Sequence, residues 1–390
     1  MAQRATTRLL LVGAGHVHLD ILRRLVEAPQ RDLDVTIVSL EDRHFYSGMT
    51  PGYLAGLYTA DDISSDVPAI ARRAEAHCVI GCAVQLDPPG RRVTLMDGRT
   101  LPYDLVSFNI GSLIAGSDGP AAEHAERIKP LHRVARLKAR LDELASGRRE
   151  ETAHVVVIGA GAGGVEVAFA AAARLDQAGR RREVTIVDRG GRVLSGYGAA
   201  FQRLAERALS AAGIRCRLGV AVTAVEPDRV VLEGAGSIPG DLSVWLTGPQ
   251  GAPFLSASGL PTEPRGFLWI EDTLRSVADP CVFAVGDCGT FTRYPAIAKS
   301  GVYAVREAPV LWKNLLAAAR GEPLATYRPQ PGFLSILSTG DGRALLRYKG
   351  MRSWSNWAWW VKDRIDRGFM RKYQRLQAEV DVPGTSQIPP

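Results

Sequence analysis

The chain alternates between short runs of consecutive apolar residues and longer stretches in which apolar residues recur at helical spacing. The first run is Arg8–Val12, a helix-like stretch continues to about Glu27, and a second run covers Val35–Val38. The order returns in the centre, where Val155–Ile158 precedes an alanine-rich stretch and Val184–Asp188. Continuous apolar runs predict strands buried on both faces, and their alternation with helices predicts β-α-β units. The pattern therefore predicts an α/β fold.

The central unit carries the glycine pattern of a dinucleotide-binding turn. Gly159, Gly161 and Gly164 follow the first strand and open the helix, and the second strand ends at Asp188. Gly159 permits a sharp turn, Gly161 lets a pyrophosphate approach the backbone, and Gly164 lets the helix pack closely on the strand. The helix N-terminus offers N–H groups and partial positive charge to phosphates, and Asp188 can accept hydrogen bonds from a ribose. This unit is predicted to bind a nucleotide.

The N-terminal unit has an altered form of the same pattern. Gly13 and Gly15 follow the first strand, but His18 stands in place of the third glycine and Ser39 in place of the acid. A serine can still hydrogen-bond a ribose hydroxyl, and Glu41 lies two residues further on. We predict a second nucleotide site here, and the alternative is an ordinary glycine turn of an α/β sheet.

Each unit is followed by short strands with turn signals between them. Residues 79–109 predict an antiparallel meander that ends close to Gly111, and residues 215–244 predict another that ends close to Gly248. One plan thus occurs twice, which indicates two nucleotides in one protein.

Two later features carry candidate chemistry. An apolar run ends in Gly286 and Asp287, where a strand-end aspartate can hydrogen-bond a polyol chain or serve as an ordinary turn residue. Residues 43–58 are rich in glycine and aromatic residues, which predicts either a loop that covers a flat ligand or a packed surface loop.

Together these elements resemble the pyridine nucleotide-disulphide oxidoreductase superfamily, over roughly residues 8–316. Four stretches carry the resemblance: 12–38, 109–112, 155–188 and 282–287. It implies FAD on the N-terminal unit, with its ribitol at Gly286 and Asp287, and NAD(P)H on the central unit. It also implies two Rossmann-like domains, each with an antiparallel meander, and a C-terminal α/β extension with an amphipathic helix. The implied limits are 1–125 with 255–325 for the discontinuous FAD domain, 126–254 for the NAD(P) domain and 326–390 for the extension.

The resemblance also supplies a set of expected site residues, and no metal site is expected. Glu166 and Lys299 are the candidate catalytic residues. The expected cofactor-binding residues are Gly13, Gly15, His16, Ser39, Glu41, Arg43, Pro51, Val84, Gly111, Gly159, Gly161, Gly163, Gly164, Asp188, Gly248, Gly286 and Asp287.

The cysteines narrow the interpretation. The five cysteines are an odd, scattered set, which indicates a reducing compartment without a disulfide framework. Residues 43–58 contain none, whereas disulfide reductases carry two close to the flavin. None lies between Cys82 and Cys216, where sulfide:quinone reductases need one, and Cys288 has no obvious partner. We therefore expect reduced flavin to pass electrons directly to a diffusible acceptor.

This expectation favours the type II NADH dehydrogenase-like branch. Two segments resemble the flavoprotein that is also found fused to selenide, water dikinase: the loop at residues 45–52, and Lys299–Arg306 at the start of a helix predicted to run to Leu316. The helix would place Lys299, Tyr303 and Arg306 at helical spacing. Its sequence departs from the glutamine-bearing quinone motif of typical type II enzymes, which leaves the acceptor open.

Composition changes the picture at one place. The content of 46% hydrophobic and 23% charged residues is that of an ordinary globular protein, and no apolar run has the length of a spanning helix. Of the net charge of +7, residues 343–375 contribute +8, from ten Lys or Arg against Asp363 and Asp366. The basic character is therefore local.

The basic segment is predicted to form an amphipathic helix over residues 353–376. Its apolar stripe consists of Trp354, Trp357, Val361, Ile365, Phe369, Tyr373 and Leu376, opposite a cationic face. A tryptophan-rich apolar face beside cations is typical of a helix that lies on anionic lipid. The alternatives are docking on the protein's own core or on a homodimer partner, and no nucleic acid partner is expected.

The primary hypothesis is an FAD-dependent NADH:quinone oxidoreductase on the cytoplasmic face of the inner membrane. Asp188 favours NADH because its charge repels a 2′-phosphate, but Arg189 and Arg192 leave NADPH open. Glu166 would orient the nicotinamide or relay a proton, or be an ordinary solvated or ion-paired glutamate. Two alternatives remain: a reductase of a soluble or protein acceptor, similar to ferredoxin reductases, and an NADH-binding flavoprotein similar to apoptosis-inducing factor.

Overall fold

The computed structural model describes residues 6–378. Residues 1–5, and residues 379–390 of the predicted C-terminal region, lie outside the described part of the chain. The helices are α1 (His16–Glu27), α2 (Thr50–Leu54), α3 (Val67–Arg73), α4 (Val134–Ser146), α5 (Ala162–Gln177), α6 (Ala199–Ala211), α7 (Pro253–Ser256), α8 (Gly301–Arg320) and α9 (Asn356–Ala378).

The strands are β1 (Thr7–Val12), β2 (Leu33–Ser39), β3 (Arg43–Phe45), β4 (Ser64–Asp66), β5 (His77–Ile80), β6 (Ala83–Asp87), β7 (Arg92–Leu95), β8 (Thr100–Pro102), β9 (Leu105–Phe108), β10 (Leu113–Ile114), β11 (Glu126–Arg127), β12 (Ala153–Ile158), β13 (Arg182–Asp188), β14 (Ile214–Leu218), β15 (Val222–Val225), β16 (Arg229–Leu232), β17 (Gly236–Pro239), β18 (Leu242–Trp245), β19 (Pro249–Gln250), β20 (Leu268–Ile270), β21 (Val282–Ala284), β22 (Gly289–Phe291), β23 (Ser335–Ser338), β24 (Ala344–Tyr348) and β25 (Met351–Ser355).

The N-terminal unit is built on a parallel sheet with the order β21-β9-β1-β2-β5. In β1, Leu9 lies between Val35 of β2 and Leu105 of β9. Strand β21 follows the whole central unit in sequence, yet Val282 pairs with Val106, so the chain returns to its first sheet. Side chains of α1, α3 and α8 pack with these strands into one apolar core. The carboxyl ends of the strands share one edge of the sheet, where nucleotides bind in such folds.

The central unit repeats this plan with the order β11-β18-β12-β13-β14. All of its strand pairs are parallel; Val155 of β12 lies between Val184 of β13 and Leu242 of β18. Helix α5 connects β12 to β13 and contributes Val165, Ala168 and other buried residues to a second core. The two copies confirm the prediction of an α/β protein with two Rossmann-like units.

The antiparallel meanders are smaller than predicted. They consist of β6-β7-β8 and β15-β16-β17. The predicted segments 79–109 and 215–244 also contained residues of β5, β9, β14 and β18, and all four strands belong to the parallel sheets. Sequence could not separate them because β9 and β18 are short apolar runs whose neighbours are distant in the chain.

The C-terminal region forms an antiparallel sheet, β23-β24-β25, followed by α9. Helix α9 lies against α3, β4 and β24, and Phe369 contacts the apolar cores of both Rossmann-like units. The last helix therefore joins the two units to each other. No described helix is long and apolar enough to cross a membrane.

The predicted single apolar stripe over residues 353–376 is wrong. The helix begins at Asn356, and Trp354 lies in β25. Residues four positions apart advance by about 40° around a helix, so a stripe with that spacing drifts across the surface. Trp357 and Ile365 are exposed, whereas Tyr373 at the other end is buried against the protein. The C-terminal half of the helix thus docks on the protein's own core.

Candidate functional site

The central glycine turn has the geometry that the sequence predicts. Gly159 has a φ of +122°, and a Cβ there would overlap the carbonyl oxygen of Leu246. A Cβ at Gly164 would overlap the carbonyl oxygen of Gly159, so α5 packs closely on β12. Gly161 caps α5, and no atom lies within 4 Å of its would-be Cβ. The turn therefore leaves open space at a helix N-terminus, which suits a phosphate group.

Asp188 ends β13 beside this turn. Its Oδ2 accepts a hydrogen bond from the Ala160 N–H at 2.7 Å, and its Oδ1 accepts one from the Gly190 N–H at 2.6 Å. A carboxylate has about four acceptor positions, so Asp188 holds the turn in shape and still has capacity for a ribose hydroxyl. Gly163 and Gly248 face open space near this edge.

His18 replaces the third glycine of the N-terminal turn, and it is fully buried. Its Nδ1 lies 2.6 Å from the Gly13 carbonyl oxygen, and its Nε2 lies 2.9 Å from Ser107 Oγ. Because a carbonyl only accepts, Nδ1 carries the proton and Nε2 accepts from the serine. Burial lowers the pKa of His18 to about 3, so the imidazole is neutral. Residue spacing alone does not reveal this hydrogen bond between α1 and β9.

Replacing His18 with leucine is expected to lower the free energy of unfolding by about 2–3 kcal/mol, because the buried Ser107 hydroxyl and the part-buried Gly13 carbonyl both lose their hydrogen-bond partner. Urea unfolding at pH 7 measures the change. His124→Leu is the matched control, since His124 is exposed. Equal losses in the two variants would contradict the assigned tie.

The N-terminal turn and the Gly286–Asp287 turn meet at the carboxyl end of the first sheet. Asn109 Oδ1 accepts from the N–H of Val17 at 3.1 Å, and a Cβ at Gly13 or Gly15 would overlap Asn109. The same asparagine donates from Nδ2 to the Val285 carbonyl at 3.3 Å. Asn109 thus joins the two predicted turns.

Asp287 belongs to a cluster of polar side chains, and the sequence pointed to Asp287 but not to Lys129. Ser112 Oγ donates to Asp287 Oδ2 at 2.8 Å, and Lys129 Nζ lies 2.6 Å from Ser112 Oγ and 3.4 Å from the carboxylate. Gly111, next to Ser112, has a φ of +74° and faces open space. Lys129 was missed because it lies 158 positions from Asp287 in the sequence.

The predicted place of Lys299 on a helix is wrong. Helix α8 begins at Gly301, so Lys299 precedes it and does not share its spacing with Tyr303. Its Nζ donates to the Gly289 carbonyl and to Thr290 Oγ1, and it lies 4.2 Å from the centre of the Phe267 ring. Burial lowers the pKa of Lys299 to about 8, against the opposing effect of Asp287.

Glu166 lies on α5 and faces the C-terminal helix. Its Oε1 accepts from the Ser338 N–H at 2.8 Å. Burial raises the pKa of Glu166 to about 7, an effect that the nearby charge of Lys362 reduces. Glu166 is half-buried, and its carboxyl group can gain or lose a proton near neutral pH.

Lys362 belongs to this site and not to a lipid-facing surface. Its Nζ donates to the Gly48 carbonyl at 2.7 Å and to Asp366 Oδ2 at 2.8 Å, and Tyr46 donates to Asp366 Oδ1 at 3.0 Å. Burial by itself lowers the pKa of Lys362. The negative charges of Asp366 and Glu166 have the larger effect, so the pKa of Lys362 is raised. We call Glu166, Lys362, Asp366 and Tyr46 the interdomain cluster.

A ring of aromatic side chains adjoins this cluster. His16 lies at the start of α1, 5.2 Å from the Tyr46 ring and 5.3 Å from the Phe369 ring between centres. His44 Nε2 lies 3.3 Å from His16 Nδ1. Burial lowers the pKa of His16 to about 4 and that of His44 to about 3, so both imidazoles are neutral.

The remaining predicted residues are more scattered. Ser39 Oγ donates to the Glu41 carbonyl at 2.6 Å, and Arg43 donates to Asp61 at 2.6 Å. Pro51 is buried in the first turn of α2. Val84 lies on β6 with 41% of its surface exposed.

The five cysteines form no disulfide within the described residues. Cys288 is buried next to Asp287, where Ile110 N lies 3.1 Å from its Sγ. Burial raises the pKa of Cys288 to about 12, so the thiol stays protonated and is a poor nucleophile.

Residues 7–310 match the family described as pyridine nucleotide-disulphide oxidoreductase. An NADH dehydrogenase-like protein of Mycobacterium tuberculosis is 30% identical over 294 residues, which cover 72% of this chain and 72% of that protein. A type II NADH:quinone oxidoreductase of the same organism is 26% identical over 389 residues, 90% of this chain and 82% of that protein. The solved sulfide:quinone oxidoreductase of Aquifex aeolicus has a TM-score of 0.80 and 18% identity, and the match covers 95% of this chain and 92% of that one.

Proposed function

Because the chain belongs to the pyridine nucleotide-disulphide oxidoreductase family, we propose that this oxidoreductase holds FAD and carries electrons from NADH to a quinone. The observation that carries the proposal is the interdomain cluster, in which the carboxyl group of Glu166, on the helix that opens at the central glycine turn, and that of Asp366 meet at Lys362. The relatives named for NADH and quinone chemistry support the same substrates.

The FAD would lie along the edge formed by Gly13, Gly15, Gly111 and the Gly286–Asp287 turn, and it supplies the hydride acceptor. Asp287 has acceptor capacity for the ribityl hydroxyls, and Lys129, which contacts Ser112 and lies 3.4 Å from the carboxylate, helps to orient it. The open space at Gly111 fits a ligand that approaches the backbone.

The NADH would lie on the central turn, with its pyrophosphate at the N-terminus of α5. Asp188 would accept from the ribose and disfavour a 2′-phosphate, whereas the exposed Arg189 and Arg192 favour one. Glu166 holds a proton at its carboxyl group near neutral pH, and Lys362 stabilises its ionised form. Quinone reduction takes up two protons, so a buried proton store suits this acceptor.

Domain limits follow from the same proposal. The pairing of β21 with β9 supports a discontinuous FAD domain made of residues 1–125 and 255–325. The parallel sheet centred on β12 supports an NAD(P) domain at residues 126–254, with the remaining chain as a C-terminal region.

Purified protein tests the proposal. We expect a yellow protein whose flavin absorbance is bleached by NADH faster than by NADPH and is restored by a soluble quinone analogue. Restoration by protein acceptors alone would favour a ferredoxin reductase-like function. Bleached flavin that no acceptor restores would favour the NADH-binding type, and a colourless protein that takes up no flavin would overturn the proposal.

We also propose that the outer face of α9 rests on an anionic lipid surface at the cytoplasmic face of the inner membrane. Trp357, Trp360 and Ile365 are exposed on this helix, and Met351 is exposed on the preceding strand. The exposed Arg364 stands among them, which adds attraction to anionic headgroups.

Replacing Trp357 and Trp360 with alanine is expected to weaken binding to anionic vesicles by tenfold or more, since each indole contributes on the order of 1 kcal/mol or more on burial. Sedimentation with vesicles that contain phosphatidylglycerol measures the change. Met96→Ala is the matched control, because Met96 is exposed on the distant meander. Equal binding by both variants would contradict the assigned face.

A further inference from the structure

Glu307 is a buried acid that the proposed mechanism does not use. It lies on α8 with only 2% of its surface exposed. Its Oε2 accepts a hydrogen bond from the Gly286 N–H at 2.6 Å. Glu307 therefore contacts the Gly286–Asp287 turn at Gly286, whereas Ser112 and Lys129 contact it at Asp287.

Close packing around Gly286 restricts the movement of the turn. Gly286 has a φ of +62°, and a Cβ there would lie 3.1 Å from Asn109 Nδ2 and 3.2 Å from the Ala304 Cβ. The backbone N–H of Gly286 is directed at the Glu307 carboxylate, so the acid sets the position of the turn. Asp287 follows in the chain and brings a second carboxyl group close to Glu307.

Charged and titratable groups face Glu307 from several segments. Lys299 and Asp287 act on Glu307 from the segments before the helix. On the helix itself, Tyr303 lines the same small cavity as Glu307, whereas Arg306 acts on Tyr327. Tyr327 approaches from the segment after the helix, and its hydroxyl has no hydrogen-bond partner among the described residues.

These neighbours leave Glu307 able to change its charge near neutral pH. Burial raises the pKa of Glu307 to about 7, although the Gly286 N–H and Lys299 oppose this effect. A small cavity lined by Gly286, Lys299, Ser300 and Tyr303 also reaches Glu307. The carboxylate of Glu307 therefore adjoins a small cavity with polar side chains, where it can take up a proton.

Resting on the proposed binding of FAD at this turn, we propose that Glu307 is a positioning residue that couples flavin reduction to the uptake of one proton. When the flavin gains two electrons, added negative charge near the turn favours the neutral acid. One proton from solvent then binds the carboxylate, and it leaves again when the electrons pass to the acceptor. No covalent bond to Glu307 forms or breaks, and coupling of this kind is reciprocal.

Glu307→Gln separates the two roles. The amide oxygen still accepts from Gly286, whereas the titratable group is lost. Redox titration of the FAD-loaded protein between pH 5.5 and 9 gives the midpoint potential at each pH without turnover. Above pH 7 we expect the wild type to take up more protons per electron pair than the variant, by up to about one. We also expect the variant to have the higher potential at pH 9, because it lacks the negative charge.

Glu322→Gln is the matched control, since this exposed acid lies just beyond the far end of α8. It should leave the pH dependence as in the wild type. Identical pH dependence in the wild type and Glu307→Gln would overturn the proposal. If the variant does not fold, Lys299→Met gives the same decision: loss of this cation should move the proton-coupled range to higher pH, and an unmoved range would overturn the proposal.

Unfolding of the apoproteins gives a readout that needs no flavin. The pKa of Glu307 is raised in the folded state, so the stability it contributes is present at low pH and is lost as the pH rises through about 7. Glu307→Gln should therefore resist urea better than the wild type at pH 8 and equally well near pH 4. Failure to bind FAD would count against the proposed function, whereas FAD binding with unchanged pH behaviour would count against Glu307 alone.

Discussion

Replacing Lys362 with methionine is expected to lower the free energy of unfolding by about 3–5 kcal/mol, because it leaves Asp366 and Glu166 without their cation in a buried site. The Lys362 side chain is 11% exposed and that of Asp366 is 6% exposed, so little water can solvate the unpaired Asp366 carboxylate. The Gly48 carbonyl loses its donor as well. The helix α9 should then release more readily from both Rossmann-like units.

Urea unfolding and the rate of limited proteolysis within α9 measure this effect. Lys372→Met is the matched control, since Lys372 is an exposed lysine on the same helix. We expect a change of less than about 0.5 kcal/mol for the control. Similar stability of the two variants would show that Lys362 is a surface cation, as the charge pattern alone suggested.

The two Rossmann-like units were predictable because their signals are local. A buried parallel strand is a continuous apolar run, and the turn after it needs glycine where a side chain would overlap the backbone. Both conditions occur within a few residues at Gly159 and Gly164. The repeat of the plan added support that neither turn gave alone.

The interdomain cluster was not predictable in the same way, because its members are distant in sequence. Lys362 and Gly48 lie 314 positions apart, and Tyr46 and Asp366 lie 320 apart. The sequence pattern placed Lys362 on a cationic face, because helical spacing identifies which residues share a face. The spacing does not identify which face of the helix packs against the protein. Because apolar residues four positions apart shift gradually around the helix, the apolar stripe did not mark one buried face either.

Two local errors have local causes. The predicted start of α8 at Lys299 failed because Ser300 takes an extended conformation, with φ of −150° and ψ of 136°, before the helix begins at Gly301. His18 was treated as a departure that weakened the turn, since spacing does not reveal that Ser107 lies within hydrogen-bond distance.

Replacing Glu166 with glutamine is expected to reduce kcat with a quinone analogue by about 100-fold or more, as loss of a proton-transferring group does. The amide oxygen can still accept from the Ser338 N–H, so the change removes the titratable group and keeps the contact. Since the pKa of Glu166 is about 7, a proton donor at this position loses activity as the pH rises above 7. The wild type should show that decline, and the variant should lack it.

The pH profile separates proton transfer from a merely structural role. Glu166→Asp keeps an acid and should restore part of the rate together with the decline above pH 7. Bleaching of the flavin by NADH should persist in both variants, because hydride transfer from the nicotinamide needs no acid at this site. A glutamine variant that keeps both the rate and the decline of the wild type would exclude Glu166 as the proton donor. In that case the next groups to test would be His16, which is neutral and half-buried against Tyr46, and its neighbour His44.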